Sequence, residues 1–157
     1  MGPIRRHYHT LVSTNNKLYA VCGQTLDWPI VEVDLQTFES ERLRLDQSET
    51  SLPRIDLHTS HFYNNQILIV GGRTHSSQQG FAYSETIFSV DILTGKVSIF
   101  ESLPKSVGGH VSFLVDNRYI VILGGTDGYE ILAECWRYDI VTAIWKKLVK
   151  FEKDLDQ

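Results

Sequence analysis

A chain of 157 residues, 42% hydrophobic and 22% charged, carries enough apolar side chains for a packed core and reads as globular. Its net charge of −4 comes from 15 basic and 19 acidic residues scattered along the chain, which argues against nucleic acid or an anionic membrane as the partner. No stretch approaches the ~20 apolar residues of a membrane helix. Met1–Thr10 has Arg5 and Arg6 but no apolar run behind them, so it is not expected to act as a secretory signal.

Residues 1–8 read as a short leader, and from His9 the chain repeats itself. The first unit, 9–46, has His9, the turn pair Asn15-Asn16, and the run KLYAV that ends at Cys22-Gly23; Val33-Asp34, Thr37 and Leu43 follow. The second unit, 57–101, repeats this with His58, Asn64-Asn65, ILIV before Gly71-Gly72, Val90-Asp91, Thr94 and Phe100. The third, 109–149, has His110, Asp116-Asn117, YIVIL before Gly124-Gly125, Tyr138-Asp139, Thr142, Trp145 and Leu148. Leu52-Pro53 and Leu103-Pro104 lead into the second and third units, and 150–157 form a charged tail. A period of about 50 residues marks a repeat architecture.

Each unit predicts four antiparallel strands, a to d. The apolar b runs are β-branched and continuous, as in a strand buried on both faces. The Gly pair ends strand b where the chain is crowded and calls for positive φ, with Cys22 small enough for that place. Asp34, Asp91 and Asp139 each open a tight c–d turn, because an Asp carboxylate can accept a bond from the backbone two residues on. Trp145 falls across that hairpin from Tyr138.

This pattern resembles the kelch repeat: a His-led strand, a di-glycine, then Tyr-Asp, Thr and Trp. The third unit matches at Gly124, Gly125, Tyr138, Asp139, Thr142 and Trp145. The second has Val90 and Val97 in place of the Tyr and Trp. The first has Cys22 for the leading Gly, Val33 for the Tyr and Ser40 for the Trp. The resemblance implies an all-β fold of kelch-type β-propeller blades, here three four-stranded antiparallel blades forming a partial propeller. Closed propellers have 4–8 blades, so three leave two open flanks. Those flanks imply association with another chain or copy, as a homo- or hetero-oligomer that closes the ring, or missing blades carried by a longer parent polypeptide.

Function is expected on one face. Antiparallel meanders put the short a–b and c–d turns at one end. The b–c loops (24–30, 73–85 and 126–134) share the other end with the d–a connections (47–54 and 102–109). Long variable loops on a rigid scaffold are where binding concentrates. Candidate partner-binding residues there are Trp28, Arg73, His75, Tyr83, Asp127 and Tyr129, of the aromatic and polar types found at interfaces. The resemblance adds that several kelch substrate adaptors hold acidic peptide groups from the Arg73 position.

His9, His58 and His110, with Gly23, Gly71, Gly72, Gly124 and Gly125, Asp34, Asp91 and Asp139, read as structural repeat positions. Each imidazole is expected to bond backbone near its blade start. His58 and His61 face opposite ways on a strand, and no third ligand follows His7 and His9 at metal-site spacing, so no metal or other cofactor is expected. Cys22 and Cys135 read as reduced thiols of a cytoplasmic protein.

Two functions fit the resemblance. The first is a non-catalytic protein–protein interaction module, a scaffold or a substrate adaptor whose remaining parts lie on another chain. The alternative is part of a kelch-propeller enzyme, galactose-oxidase-like or sugar-acid mutarotase-like, with its other blades elsewhere. No nucleophile elbow, phosphate loop or Cys-x-x-Cys pair appears.

Overall fold

The computed structural model describes residues 6–24, 28–78 and 80–150. The rest of the leader and tail, and residues 25–27 of the first b–c loop, lie outside the described residues. What is described is all-β: four antiparallel sheets and no helix.

Three of the sheets are the expected meanders. Blade 1 is β1 (Thr10–Ser13), β2 (Lys17–Val21), β3 (Ile30–Asp34) and β4 (Ser40–Arg42), paired in that order. Blade 2 is β6 (Thr59–Tyr63), β7 (Gln66–Val70), β10 (Thr86–Asp91) and β11 (Val97–Ser102). Blade 3 is β12 (Val111–Val115), β13 (Tyr119–Leu123), β14 (Glu134–Asp139) and β15 (Ile144–Lys150). The fourth sheet was expected as loop. It joins β5 (Arg54–Asp56), β8 (Arg73–Ser76) and β9 (Gly80–Tyr83) in the order β5-β8-β9.

The turns follow from their residues. Asn64 and Asn65 both have φ near +50° and close a two-residue hairpin between Tyr63 and Gln66. Asp116 and Asn117 adopt the same region, with one extra residue before Tyr119. The carboxylates of Asp34, Asp91 and Asp139 accept backbone N–H bonds from the residues two and three ahead, at 2.8–3.4 Å. Trp145 pairs with Tyr138 in register, their rings 4.9 Å apart, and its indole N–H reaches the Ser102 carbonyl of blade 2.

Blade packing uses both faces of strand b. Ile67 and Ile69 enter a core with Tyr19, Val21 and Ile30 of blade 1. Their neighbours Leu68 and Val70 point the other way, into a core with Ile120, Ile122 and Tyr138 of blade 3. All four are fully buried, which is why the run cannot alternate with polar residues. Burial at ~25 cal/mol per Å² makes these seams the main source of cohesion.

The Gly pairs sit where blades close on one another. Gly72 has φ +102°, and a Cβ there would lie 2.7 Å from the Asp56 carbonyl oxygen. Cys22, the blade 1 counterpart of Gly71, keeps the left-handed conformation with φ +51°. Burial pushes its thiol up to about 12, against the opposing effect of Arg6.

The recurring histidines hold blades together, with a different partner from the one expected. His58 Nε2 hydrogen-bonds Thr10 Oγ1 of the preceding blade at 2.9 Å, and His110 Nε2 bonds Thr59 Oγ1 at the same distance. Backbone contributes only beside this contact, where Val21 favours the charged form of His58. The reason is geometric: the imidazole leaves the strand sideways, toward the neighbouring blade. His9 is exposed, with no preceding blade among the described residues.

Candidate interaction face

The centre of the loop face is the buried carboxylate of Asp56, which is 0% exposed. Strand pairing sets Asp56 opposite Arg73 and Arg54 opposite His75, so Arg73 and His75 project from one side of β8. Arg73 donates from Nε and Nη2 to the two Asp56 oxygens, both at 2.9 Å. Gln24 Nε2 reaches Asp56 Oδ2 at 2.7 Å, and His75 Nε2 lies 3.1 Å from the same oxygen. Burial raises the Asp56 pKa, but the bonds from Arg73, Gln24 and His75 outweigh it and leave it at about 2. The carboxylate therefore pins three segments: the loop of blade 1, the entry strand β5 and the hairpin β8–β9.

That hairpin presents aromatic rings. Arg73 lies over the Phe81 ring at 5.4 Å, and Phe81 meets Tyr83 edge-on at 6.4 Å. Tyr83 packs against Gly108 and Gly128 of blade 3, where any Cβ would come within 2.9 Å of its ring. The second b–c excursion thus lies across the blade 2–blade 3 seam instead of extending freely into water.

The third loop is shaped by Asp127. Its carboxylate accepts from the N–H groups of Tyr129 (2.8 Å) and Glu130 (2.9 Å), and these bonds lower its pKa. The turn throws Tyr129 outward, 98% exposed, with Ile131 at 88%. Trp28 stands on the blade 1 side, with Arg42 over its ring at 5.1 Å and Arg6 donating to its carbonyl.

The structure therefore gathers Arg73, His75 and Tyr83 around one hairpin and places Asp127 and Tyr129 beside it on blade 3. Trp28 belongs to a separate cation–π pair on blade 1. Two residues the sequence reading did not single out complete the cluster. Asp56 is its anchor and Phe81 its exposed ring. The alternating pattern RTHS and GFAY about the Ser77–Gly80 segment was the available signal for a hairpin.

The family model of the KLHDC2/KLHL20/DRC7 Kelch-repeats domain matches residues 1–155. The chain belongs to this kelch-repeat family. No significant match was found among curated proteins. Kelch-repeat domains generally mediate protein–protein interaction and are typically non-enzymatic. In kelch terms, the β8–β9 hairpin is the b–c excursion of blade 2, and Asp56 sits two residues ahead of that repeat's His.

Proposed function

We propose that this protein is a non-catalytic interaction module whose b–c and d–a loop face binds a partner protein. The observation that carries this is the pairing of a fixed base with exposed rings. Asp56 holds the β8–β9 hairpin rigid, while Phe81 (61% exposed), Tyr129 and Ile131 stand out from it and from the neighbouring loop. Exposed aromatics on a preorganised support bind with little entropy lost on docking. The guanidinium of Arg73, already bonded to Asp56, acts here as a brace for Phe81 more than as an open anion receptor.

The two open flanks complete the reading. They are surfaces that meet another blade, so the working form is a propeller completed by association. The buried Cys22 thiol fits a reducing, cytoplasmic setting.

The test is capture of partners from the native source by the purified chain, then by Tyr129→Ala and Phe81→Ala. Loss of one captured protein with both variants, at unchanged thermal stability, is the expected result. Capture unaffected by both substitutions refutes the loop-face reading.

A further inference from the structure

The two seams differ at the outer strands, where the end of one blade's strand d meets the c–d turn of the next. Between blades 2 and 3, two aromatic side chains of blade 3 fasten on the end of β11. The Tyr138 hydroxyl donates to Glu101 Oε2 at 2.7 Å, and the Trp145 indole N–H donates to the Ser102 carbonyl at 3.0 Å. Counted from the turn Asp of each unit, Val90 and Val97 take the places of Tyr138 and Trp145. Arg44 and Leu45 take those of Glu101 and Ser102. The seam between blades 1 and 2 therefore has neither ring and neither of the two bonds.

A backbone link stands there instead. The Asp46 N–H donates to the Gly95 carbonyl at 2.9 Å, and the Val97 N–H donates to the Asp46 carbonyl at 3.0 Å. Gly95 lies so close to this stretch that a Cβ on it would be 2.0 Å from the Arg44 carbonyl oxygen, whereas blade 3 has Ala143 at that place. The link joins the blades but supplies no side chain in place of the indole. A groove of about 450 Å³ remains between residues 43–46 and 92–95, within the ~300–1,000 Å³ of small-ligand sites. Leu43, Leu45 and Ile92 are half-buried along it, and Leu93 stands at its rim, 77% exposed. The Leu45 carbonyl, counterpart of the one that holds Trp145, accepts no hydrogen bond among the described residues.

We infer that this groove binds an indole ring, and that its occupant is a tryptophan side chain of a partner protein. An indole carries one N–H donor on an otherwise apolar ring, and the N–H needs an acceptor once the ring is buried. The groove offers the matching set, a free carbonyl among leucine and isoleucine side chains. The seam between blades 2 and 3 makes the same match within the chain, with Trp145 as the ring and Ser102 as the acceptor. A phenylalanine ring would leave the Leu45 carbonyl without a donor. The groove shares no residue with the Asp56 cluster, so it stands or falls apart from the loop-face reading.

The probe is N-acetyl-tryptophanamide, titrated into the native chain and followed through backbone amide shifts by NMR. A dissociation constant of about 1 mM is expected, the strength of a single side chain, with the shifts concentrated at 43–46 and 92–95. The N1-methylated probe has no donor and should bind about 10-fold more weakly. Leu93→Asp, at an exposed position, should weaken binding about fivefold at unchanged thermal stability. Val97→Trp combined with Val90→Tyr rebuilds the blade 3 pair and should abolish binding by filling the place from within; if that variant does not fold, Leu93→Asp carries the test. Shifts that do not saturate by about 10 mM, shifts centred elsewhere, a methylated probe that binds equally well, or binding indifferent to Leu93→Asp would each overturn the inference. Free indole bound more tightly than the blocked amino acid would make the groove a small-molecule site and overturn the assignment to a partner's side chain.

Discussion

Lowering the pH from 7 to 5 should remove most of the stability of this fold, and three imidazoles, two buried and one half-buried, set the size of the effect. His58 and His110 are 5% and 6% exposed, and His61 lies partly buried against Ser112. Loss of hydration is the main cause that lowers each from 6.5 to about 4. For His110, the nearby His58 and His61 push in the same direction. The unfolded chain takes up protons below pH 6.5 while the folded chain resists until about pH 4. Stability is therefore complete above pH 6.5, falls as the pH drops, and levels off below about 4. A tenfold change in proton affinity is worth about 1.4 kcal/mol, so each histidine costs about 2 kcal/mol at pH 5 and roughly 3 kcal/mol below pH 4. Three together approach ~6 kcal/mol at pH 5, comparable with the whole stability of an ordinary domain. Urea unfolding at fixed protein concentration between pH 7.5 and 5, followed by tryptophan fluorescence, measures this directly. His110→Gln and His58→Gln should each flatten the dependence by about a third. A urea midpoint that does not move between pH 7 and 5 would show that the imidazoles are hydrated or charged in the folded state, and would refute the argument. Asp56 and Asp139, both held at about 2, add to the loss only below their unfolded values near 3.8, so the two causes separate on the pH axis.

Two further substitutions probe the loop face and its support. Asp56→Ala leaves the Arg73 guanidinium without its two carboxylate bonds and should cost about 3–5 kcal/mol, the range for breaking a buried pair; urea unfolding measures the loss, and limited proteolysis should cut first within 76–80. Gly72→Ala forces a Cβ to 2.7 Å from the Asp56 carbonyl at φ +102° and should cost more than about 2 kcal/mol, whereas Gly80→Ala, at φ +76° with nothing within 4 Å, should cost only about 1 kcal/mol; equal losses in thermal unfolding at the two positions would mean that crowding is not what requires the second Gly.

What could be read directly from the chain was local. Asn64-Asn65 and Asp139 bend the backbone with their own side chains, and Gly71-Gly72 ends a strand through its own φ angles, so these features carry their signal within a few residues. The continuous ILIV run also declared burial on both faces, because nothing in it tolerates water. The β5–β8–β9 sheet was not legible in that way. Its strands are three and four residues long, and its key pairing joins Asp56 to Arg73 across an intervening strand pair. The histidine partner was hidden for a similar reason. A repeat shows that His58 and His110 recur, but Thr10 and Thr59 become their partners only when one unit is laid beside the next. Among the loop candidates, Arg73, His75 and Tyr83 fall together because β8 and β9 share a register. Trp28 stays apart because its ring is taken by Arg42 of its own blade.

The hydroxyl–imidazole links between blades also bear on the order in which the fold comes apart. Each blade is fastened to its neighbours and to nothing more distant, so the cohesion of the array is a chain of nearest-neighbour terms. Blade 2 is held from both sides, by Thr10 on His58 and Ser60 and by its own Thr59 on His110 and Ser112. It is the keystone of the array. In a single copy, opening would begin at an outer blade and travel inward, reaching β7 and β10 last. A closed ring has no outer blade, and would have to break two seams before any blade could leave.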